Sequence, residues 1–361
     1  MKKSSQKHHI PFVVLMLVIA MLPMLLIALG IQGENVRRVP LQQKPGLFKN
    51  GTVNESFITD LERYISDSNP LKGLSIRILS SFDQAVLNDL PCEEAVAGKD
   101  DFIFFGETMP DQVGVDQLDD EKIGSVVDYV LSIEELCHEK GKTFYFVVAP
   151  DKGTIYPEML PGRLIKTDAP RSIDLLTDAF GKAGASCYID SKDLLTGVKQ
   201  NGGLCYYKRD SHWNEFGACC IYNAAASASG LERFDEDSYS IAKDREGDLE
   251  RFAARLDREY DERYVYPVRR DYESEKPIDL DNSKINITSS DANELTVLIW
   301  HDSFGKALQP FFSQNAGRLV MLRSFPYDMS SIDEYSPDII IIEIAERKLP
   351  KLYELAKAAG F

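Results

Sequence analysis

Residues 295–312, LTVLIWHDSFGKALQPFF, decide the fold of this 361-residue chain. The first six residues are apolar or β-branched, which predicts a short buried β-strand. A polar turn of three residues follows, and residues 304–312 then predict a helix. A strand joined to a helix by so short a turn is the repeating unit of α/β proteins with a parallel sheet.

The same alternation of strands and helices occupies much of the C-terminal two thirds of the chain. We predict strands at 101–106, 143–149, 187–190, 295–300, 318–322 and 339–344, and helices at 119–140, 171–184, 214–230, 304–312 and 349–359. This order predicts an α/β sandwich with a mostly parallel sheet. Residues 231–294 are rich in Asp, Glu, Arg and Tyr and show little periodicity, so we expect them to form a surface insertion.

The N-terminus carries an apolar segment, residues 10–31, that contains no charged side chain. Its length suffices to cross a bilayer as a helix, and Pro23 is tolerated inside such a helix. Residues 1–9 contain three lysines, Lys2, Lys3 and Lys7, and no acid. The positive-inside rule therefore keeps residues 1–9 in the cytoplasm and places the rest of the chain outside.

A cleaved signal peptide is the alternative interpretation of this segment. The apolar run is longer than an ordinary signal-peptide core, and residues 28–30, Ala-Leu-Gly, form a weak cleavage site. We therefore expect a single-pass anchor in the cell membrane, with an extracytoplasmic domain. Residues 32–100 then predict a polar linker and a helical adapter, and residues 101–361 a catalytic domain.

Composition excludes several classes of function. The chain has 57 acidic against 41 basic residues and a formal net charge of −16, which argues against nucleic acid as a partner. After the anchor the histidines are His138, His212 and His301, too few for a multi-histidine metal site. The six cysteines lack metal-ligand spacing, so we expect small buried residues, with one disulfide left open as an alternative.

The turn at residues 300–305, WHDSFG, is the first candidate for chemistry. Ser303 follows a strand directly, which places it at the carboxyl edge of the sheet, where open α/β folds bind ligands. Its N–H lies at a helix N-terminus, which favours negative charge. This geometry suits a nucleophile whose attack produces an oxyanion. The alternative is that Asp302 or Ser303 caps the helix.

Residues 207–214, YKRDSHWN, are the second candidate. On a turn before a helix, Asp210 and His212 can meet, and the carboxylate then fixes the tautomer of the imidazole. The alternatives are a capping Asp with a packed His, or a metal site, for which a third ligand is missing nearby. Together with Ser303, these residues are the parts of a Ser-His-Asp triad for acyl transfer.

These two blocks also carry a family resemblance. The D-x-H-W block with the following N-x-x-G-A, at residues 210–218, and the later D-S-F resemble the AlgX/AlgJ-type SGNH-hydrolase-like proteins. The wider resemblance is to the D-H-H-W proteins of polysaccharide O-acetylation. Similar fragments occur at residues 150–152, 156–161, 247–249 and 337–347. The resemblance covers about residues 100–350, and the D-x-H-W block is its most specific part.

The resemblance implies a three-layer sandwich of the SGNH-hydrolase type. It implies Ser303 as the nucleophile, His212 as the base and Asp210 as its orienting partner, with no cofactor. It also implies a polysaccharide acceptor and a membrane-bound O-acyltransferase (MBOAT-type) partner that supplies the acyl group. The sequence departs from the wider pattern at Ser211 and at His301, which stands where many hydrolases have Gly. His301 therefore competes as a base.

Four further residues are candidates for binding. Arg323 and Arg347 follow predicted strands and are candidates for a second oxyanion donor. Lys152 lies at the same edge of the sheet and is a candidate for contact with an anionic sugar. Trp213 is a candidate for stacking on a sugar ring. Each has a structural alternative, as an ion-pairing or core residue.

Three functional hypotheses follow from these observations. The first is a membrane-anchored, extracytoplasmic O-acetyltransferase that modifies a cell-envelope or exported polysaccharide through an acetyl-serine. The second is a carbohydrate acetyl esterase, in which water replaces the sugar hydroxyl. The third is a non-catalytic, glycan-binding scaffold subunit, which requires that the three triad residues lie apart.

Overall fold

The computed structural model describes residues 10–36, 40–49, 51–87, 89–90, 92–115, 117–165, 169–256, 259–269 and 271–361. These residues form two compact units. The first unit lies within Met1–Glu93 and Glu250–Arg258, and the second comprises Glu94–Leu249 and Glu259–Phe361. The second unit contains every residue proposed above for chemistry.

Helices and strands alternate along much of the second unit. The helices are α1 Ile10–Ala28, α2 Phe57–Asp67, α3 Lys72–Leu87, α4 Met109–Gln112, α5 Asp120–Glu139, α6 Lys152–Ile155, α7 Ser172–Ala183, α8 Ser191–Gln200, α9 Glu215–Ser229, α10 Glu250–Ala253, α11 Gln309–Asn315, α12 Ser330–Tyr335 and α13 Leu349–Ala358. The strands are β1 Phe48–Lys49, β2 Thr52–Val53, β3 Ala95–Ala97, β4 Ile103–Phe105, β5 Thr143–Ala149, β6 Tyr188–Ile189, β7 Ser240–Arg245, β8 Asp261–Val265, β9 Glu273–Ser274, β10 Ile285–Ser289, β11 Thr296–Trp300, β12 Arg318–Leu322 and β13 Ile339–Ala345.

The first unit begins with the apolar helix α1. Its stretch Pro11–Ala28 has a mean hydropathy of 2.8, so by length and composition it can cross a membrane. The helix ends at Ala28, and Gly30 takes a positive φ of 75°, which accounts for an end three residues before the predicted residue 31. The three lysines used to predict its orientation lie outside the described residues. Helices α2 and α3 lie where the apolar spacing predicts helices, and the role of this region as an adapter stays a prediction.

The second unit is built on a seven-stranded sheet with the order β6-β5-β13-β11-β12-β10-β9. The five strands β6, β5, β13, β11 and β12 are parallel to one another. Strand β10 joins β12 antiparallel, and β9 joins β10 antiparallel. The sheet is therefore mostly parallel, as the sequence predicts.

Helices cover both faces of this sheet because successive side chains of a strand point to opposite sides. Ile341 of β13 lies in one hydrophobic cluster together with residues of α9 and α11. Its neighbour Ile342 lies in a second cluster with residues of α5, α7 and α13. Two helical layers around one sheet give the three-layer α/β sandwich that the family resemblance implies.

The second unit begins upstream of the predicted boundary because it includes an additional strand pair. Strand β3 pairs antiparallel with β4, so the unit starts at Glu94 rather than at residue 101. Five cysteines, Cys137, Cys187, Cys205, Cys219 and Cys220, are buried thiols within this unit.

Residues 231–294 depart from the predicted surface insertion. Strands β9 and β10 extend the central sheet, and β7 pairs with β8 in a separate hairpin. Tyr264 and Tyr266 are buried in the first hydrophobic cluster. Tyr264 lies in β8 and Tyr266 directly follows it, so this segment contributes to the core as well as to the surface, which its polar composition conceals.

Four of the predicted site residues follow parallel strands at one edge of the sheet. Ser303 follows β11 and Lys152 follows β5, while Arg323 follows β12 and Arg347 follows β13. The carboxyl ends of parallel strands lie at the same edge, where α/β folds bind ligands. The topology therefore gathers these residues on one side of the molecule.

Truncating a central strand residue should destabilise the second unit strongly. Ile341 is 1% exposed, and Ile341→Ala should lower the free energy of unfolding by about 2–5 kcal/mol, because it removes buried methyl groups and leaves a cavity. Urea unfolding followed by near-ultraviolet circular dichroism measures the change. Ile165→Ala is the matched control, since Ile165 is 87% exposed. Equal midpoints for the two variants would contradict this packing.

Candidate active site

A buried carboxylate clamps the turn that carries Ser303. Glu343 on β13 is 1% exposed, and its Oε2 accepts the backbone N–H groups of Asp302 (3.0 Å) and Gly305 (2.9 Å). Asp302 accepts the N–H of Phe304 at 2.9 Å and that of Ala345 at 2.9 Å. Asp302 thus holds the turn through two backbone N–H groups, although the N-cap of the following 3-10 turn is Phe304 and not Asp302 or Ser303. The Ser303 side chain remains available for a different task.

Gly305 is required by the closeness of this turn to β13. A Cβ atom at this position would lie 2.5 Å from the Cβ of His301 and 2.8 Å from Glu343 Oε2. Any larger residue would push the turn away from the carboxylate that holds it. A 3-10 turn, Gly305–Leu308, precedes α11, so the predicted helix 304–312 is divided at its start.

The second motif is held by a buried lysine. Lys152 is 4% exposed, and its Nζ donates to the carbonyl oxygens of Tyr207 (3.1 Å), Lys208 (2.8 Å) and Asp210 (2.7 Å). Burial lowers the pKa of Lys152 to about 8, although Asp210 and Asp261 favour its charged form. The expected contact of Lys152 with an anionic sugar does not fit this position. Its ammonium group instead shapes the chain before His212.

Asn214 and Trp213 complete the second motif. The Asn214 side chain accepts the N–H of Gly217 at 2.9 Å and thereby caps α9, which explains the N-x-x-G pattern. Trp213 is 1% exposed, and its Nε1 donates to the carbonyl of Phe304 at 3.0 Å. This bond ties the His212 segment to the Ser303 turn, 91 residues further along the chain. Trp213 is a core residue with one edge toward the cavity described below.

The two motifs bring Asp210, His212 and Ser303 together. Ser303 Oγ lies 2.8 Å from His212 Nε2, and His212 Nδ1 lies 2.7 Å from Asp210 Oδ1. The backbone N–H of His212 also donates to Asp210 Oδ1 at 3.1 Å. Both side-chain distances lie within the range of a nucleophile, a general base and its orienting carboxylate. The arrangement can therefore remove the proton of the serine hydroxyl.

Asp210 is buried but remains ionised. Burial by itself would raise its pKa, but the hydrogen bond and charge of His212, together with the guanidinium of Arg245, hold the pKa well below its usual range. Arg245 Nη2 lies 2.9 Å from Asp210 Oδ2. Oδ1 thus accepts from His212, and Oδ2 accepts from Arg245 and, at 3.3 Å, from the backbone N–H of Asp248. This gives His212 a constant negative neighbour.

A second carboxylate approaches the same imidazole. Asp248 accepts the Ser211 N–H and the Ser211 hydroxyl, both at 2.7 Å, and its Oδ2 lies 3.5 Å from His212 Nδ1. Burial and the charge of Asp210 raise the pKa of Asp248. Its loop comes this close because Gly247 passes next to the chain, where a Cβ would lie 2.1 Å from the carbonyl oxygen of Arg209.

The sequence motifs did not single out Arg245, Asp248 and Glu343 as parts of the site. Arg245 and Asp248 lie in residues 231–294, and Glu343 lies inside a strand. The available signal for Asp248 is its place in the fragment Gly247-Asp248-Leu249, which was used for the resemblance alone. Asp248 also supplies the third side chain of the kind that binds metal ions. Asp210, His212 and Asp248 together could hold a cation. Arg245 and Ser303 already occupy polar atoms of that group.

The competing base His301 makes its side-chain hydrogen bond to the backbone beside Ser303 and not to the serine hydroxyl. It is 4% exposed, and its Nδ1 donates to the carbonyl of Asp302 at 2.6 Å. Burial lowers its pKa, which favours the neutral imidazole. It lines a cavity of about 200 Å³ that also includes Ser303, Tyr327, Glu343 and Lys348. The serine–imidazole hydrogen bond described above belongs to His212.

The two predicted oxyanion donors have other partners. Arg347 Nη1 donates to Asp151 Oδ1 at 2.6 Å, and its guanidinium lies 5.1 Å from the ring centre of Phe304. Arg323 donates to the carbonyl oxygens of Leu280 and Asp281. Arg347 thus contacts the Ser303 turn through Phe304, and Arg323 lines the cavity of about 200 Å³ that Ser303 also lines. Their role as oxyanion donors stays a prediction.

Comparisons with known proteins agree with this architecture. Residues 95–318 match the family model described as "SGNH hydrolase-like domain, acetyltransferase AlgX". No curated protein matches the chain significantly. Bacillus cereus PatB1 is 16% identical with a TM-score of 0.53, covering 69% of this chain and 95% of that one. A DHHW family protein from Eubacterium siraeum is 17% identical with a TM-score of 0.50, covering 65% and 88%. At these identities the likeness shows the fold.

The two carboxylates beside His212 should respond to pH in opposite directions. Asp210 has a lowered pKa, so its charge stabilises the folded state above the unfolded value of about 3.9, and this stabilisation is lost as pH falls. Asp248 has a raised pKa, so its ionisation destabilises the folded state as pH rises from about 3.9 to its folded value. As pH rises from 3 to 7, the melting temperature of Asp210→Asn should therefore fall further below that of wild type. The melting temperature of Asp248→Asn should rise relative to that of wild type over the same range.

The control for this comparison is Asp333→Asn. Asp333 pairs with Lys140 at 2.6 Å on the exposed surface, and its side chain is 73% exposed. Its melting temperature should follow that of wild type across the pH range. The same pH trend in Asp210→Asn and Asp248→Asn would contradict the electrostatic arrangement described here.

Proposed function

The chain belongs to the acetyltransferase AlgX family of SGNH-hydrolase-like domains, and on this premise we propose that it is a polysaccharide O-acetyltransferase. Ser303 is the nucleophile, His212 the general base and Asp210 its orienting partner. The observation that carries the proposal is the continuous hydrogen-bonded line from Asp210 through His212 to Ser303, with distances of 2.7 Å and 2.8 Å. A serine and an imidazole that merely packed together would not need a buried, ionised carboxylate behind them.

The first half of the reaction transfers an acetyl group from a donor ester to the enzyme. His212 Nε2 takes the proton of Ser303, and Ser303 Oγ attacks the acetyl carbonyl carbon. The tetrahedral intermediate then collapses, and the bond to the donor oxygen breaks. His212 returns the proton to that oxygen, so the donor leaves as an alcohol. The product of this half is an acetyl-serine at Ser303.

The second half transfers the acetyl group to a sugar. His212 takes the proton of a sugar hydroxyl, and the sugar oxygen attacks the acetyl-serine. The bond to Ser303 Oγ breaks, and His212 gives the proton back to the serine. With water in place of the sugar, the same steps give an acetyl esterase. The glycan-bound geometry and the exclusion of water decide between these two outcomes.

The backbone N–H of Ser303 is the first donor for the oxyanion in both halves. Within the described part of the chain, no carbonyl or carboxylate accepts a hydrogen bond from this group. Glu343 instead binds the N–H groups of Asp302 and Gly305 on either side of it. The turn is thereby fixed while the central N–H stays available to the negative oxygen. Arg323 and Arg347 remain the candidates for a second donor.

We also propose that α1 anchors the protein in the cell membrane, with residues 1–9 in the cytoplasm and the second unit outside. The length and hydropathy of Pro11–Ala28 support the anchor, and the three lysines before it support the orientation. An extracytoplasmic enzyme needs a donor delivered across the membrane. A membrane-bound O-acyltransferase of the MBOAT type is the proposed partner, because it can supply the acetyl group beside the anchor.

Removing any triad side chain should abolish acetyl transfer. Ser303→Ala and His212→Ala should each lower kcat/KM at least about 1,000-fold, and Asp210→Asn by a comparable order, because each loses a group required for proton transfer. The assay uses the full chain in detergent with a chromogenic acetyl ester and neutral oligosaccharides, and mass spectrometry detects acetylated sugar. Acetate without acetylated sugar would favour the esterase. No turnover by the folded chain, even with its membrane partner, would favour the scaffold.

His301→Asn is the matched control for His212→Ala. An Asn amide preserves a donor for the carbonyl of Asp302, which His301 Nδ1 contacts at 2.6 Å. This variant should retain most of the wild-type kcat/KM. A loss as large as that of His212→Ala would reassign the base to His301.

The orientation of the anchor gives a separate test. A reporter that is active only outside the cytoplasm, fused after Phe361, should be active in cells, because the lysines before the apolar helix stay inside. Replacing Lys2, Lys3 and Lys7 by Glu should weaken this signal. An inactive reporter on the unaltered chain would contradict the proposed orientation.

A further inference from the structure

A cavity of about 460 Å³ opens beside the triad. Its size falls within the roughly 300–1,000 Å³ range of small-molecule sites. Ser303 and His212 both line it, so a molecule bound there lies next to the reacting atoms. The lining is rich in aromatic side chains, namely Tyr207, Trp213, Tyr264, Tyr266, Tyr272, Phe304 and Phe311. Six of these residues are at most 8% exposed, so Tyr272 and the small exposed parts of the others form the apolar wall against which a pyranose ring can pack.

The cations of this cavity are already neutralised. Arg245 pairs with the buried carboxylate of Asp210 at 2.9 Å, and its guanidinium lies 5.2 Å from the ring centre of Tyr207. Arg263 pairs with Asp244 at 2.7 Å. Lys306 pairs with Asp281, which also lines the cavity.

The carboxylates around the cavity outnumber these cations. Glu215 lines it as a further acid and accepts the backbone N–H of Tyr264 at 3.1 Å. Counted together with the ion-pair partners Asp210 and Asp244, which are not among the lining residues, four carboxylates balance the three cations. A negatively charged ligand would enter a site without a net positive charge.

The other cations at this edge of the sheet are also engaged. Lys152 is held by three carbonyl oxygens, and Arg347 is paired with Asp151. Arg323 donates to the carbonyl oxygens of Leu280 and Asp281. The basic residues that the sequence offers for an anionic sugar thus have partners within the protein. This agrees with the excess of acidic residues in the whole chain.

We propose that the acceptor unit bound in this cavity is an uncharged pyranose, and that sugars with a carboxylate on that unit are poor acceptors. This inference rests on the proposed acetyl transfer and adds its substrate class. An uncharged ring can use the aromatic surface, and its hydroxyls can use the charged groups as hydrogen-bond partners. A carboxylate would lose solvation and gain no unpaired cation in return.

The test compares sugars that differ only in oxidation at C6. The pairs are hexasaccharides of β-1,4-glucan and β-1,4-glucuronan, and of β-1,4-mannan and β-1,4-mannuronan. Binding is measured with the full-length Ser303→Ala chain in detergent, and acetyl transfer with wild type. At low salt at least one neutral member should bind and accept acetyl at least about tenfold better than its oxidised counterpart, and added salt should narrow the difference. Equal or better binding of an oxidised member, or no binding of either neutral sugar, would overturn the proposal.

A variant that neutralises one carboxylate of the cavity sharpens the test. Asp281→Asn removes the partner of Lys306, and Asp281 is 77% exposed at its side chain, so the fold should persist. The freed ammonium should raise the affinity for the oxidised sugars several-fold relative to that for their neutral counterparts. Asp333→Asn is the control, because it breaks an exposed ion pair with Lys140. An equal effect of both variants would contradict a local electrostatic cause.

The experiment separates this inference from the proposed function. Preferential binding of neutral sugars by Ser303→Ala, without acetyl transfer by wild type, would uphold the cavity's preference and refute the transferase. Transfer to an oxidised sugar as efficient as to its neutral counterpart would uphold the transferase and refute the preference.

Discussion

The hydrogen bond from Trp213 Nε1 to the carbonyl of Phe304 joins the two segments on which the site depends. Each segment is fixed separately, one by the buried ammonium of Lys152 and the other by the buried carboxylate of Glu343. The tryptophan sets the distance between them. A short serine–imidazole contact across 91 residues needs such a rigid link, because small displacements of either segment would break it.

Much of the fold can be predicted because its signals are local. Strand β5 and helix α5 differ from their predicted ranges by no more than a residue at each end, since their apolar spacing reflects burial directly. The Asp210 and His212 motif is visible because it combines a rare histidine with a helix cap. Asp248 and Glu343 could not be found in this way. Their contacts join distant parts of the chain, and each looks locally like an ordinary acid in a loop or a strand.

Residues 231–294 show why composition can mislead. Strand β7 is mostly exposed along its length, so its sequence resembles a polar surface segment. Yet the hairpin it forms with β8 supplies Arg245 to the triad and Tyr264 to the core. The chain therefore uses one segment for packing, for electrostatics and for the wall of the cavity. The hydropathy pattern of residues 231–294 is irregular because these residues contribute to the core, to the triad and to the cavity wall.

Lys152, which holds the segment before His212, sets an upper limit to the pH range in which this segment stays ordered. Its ammonium has three hydrogens for three carbonyl oxygens, those of Tyr207, Lys208 and Asp210. Because the pKa of Lys152 is lowered to about 8, mild alkali turns it into an amine with two hydrogens. One carbonyl then loses its donor, and the segment before His212 loosens. An alkaline decline in rate would in this case report the order of a loop rather than the protonation of a reacting group.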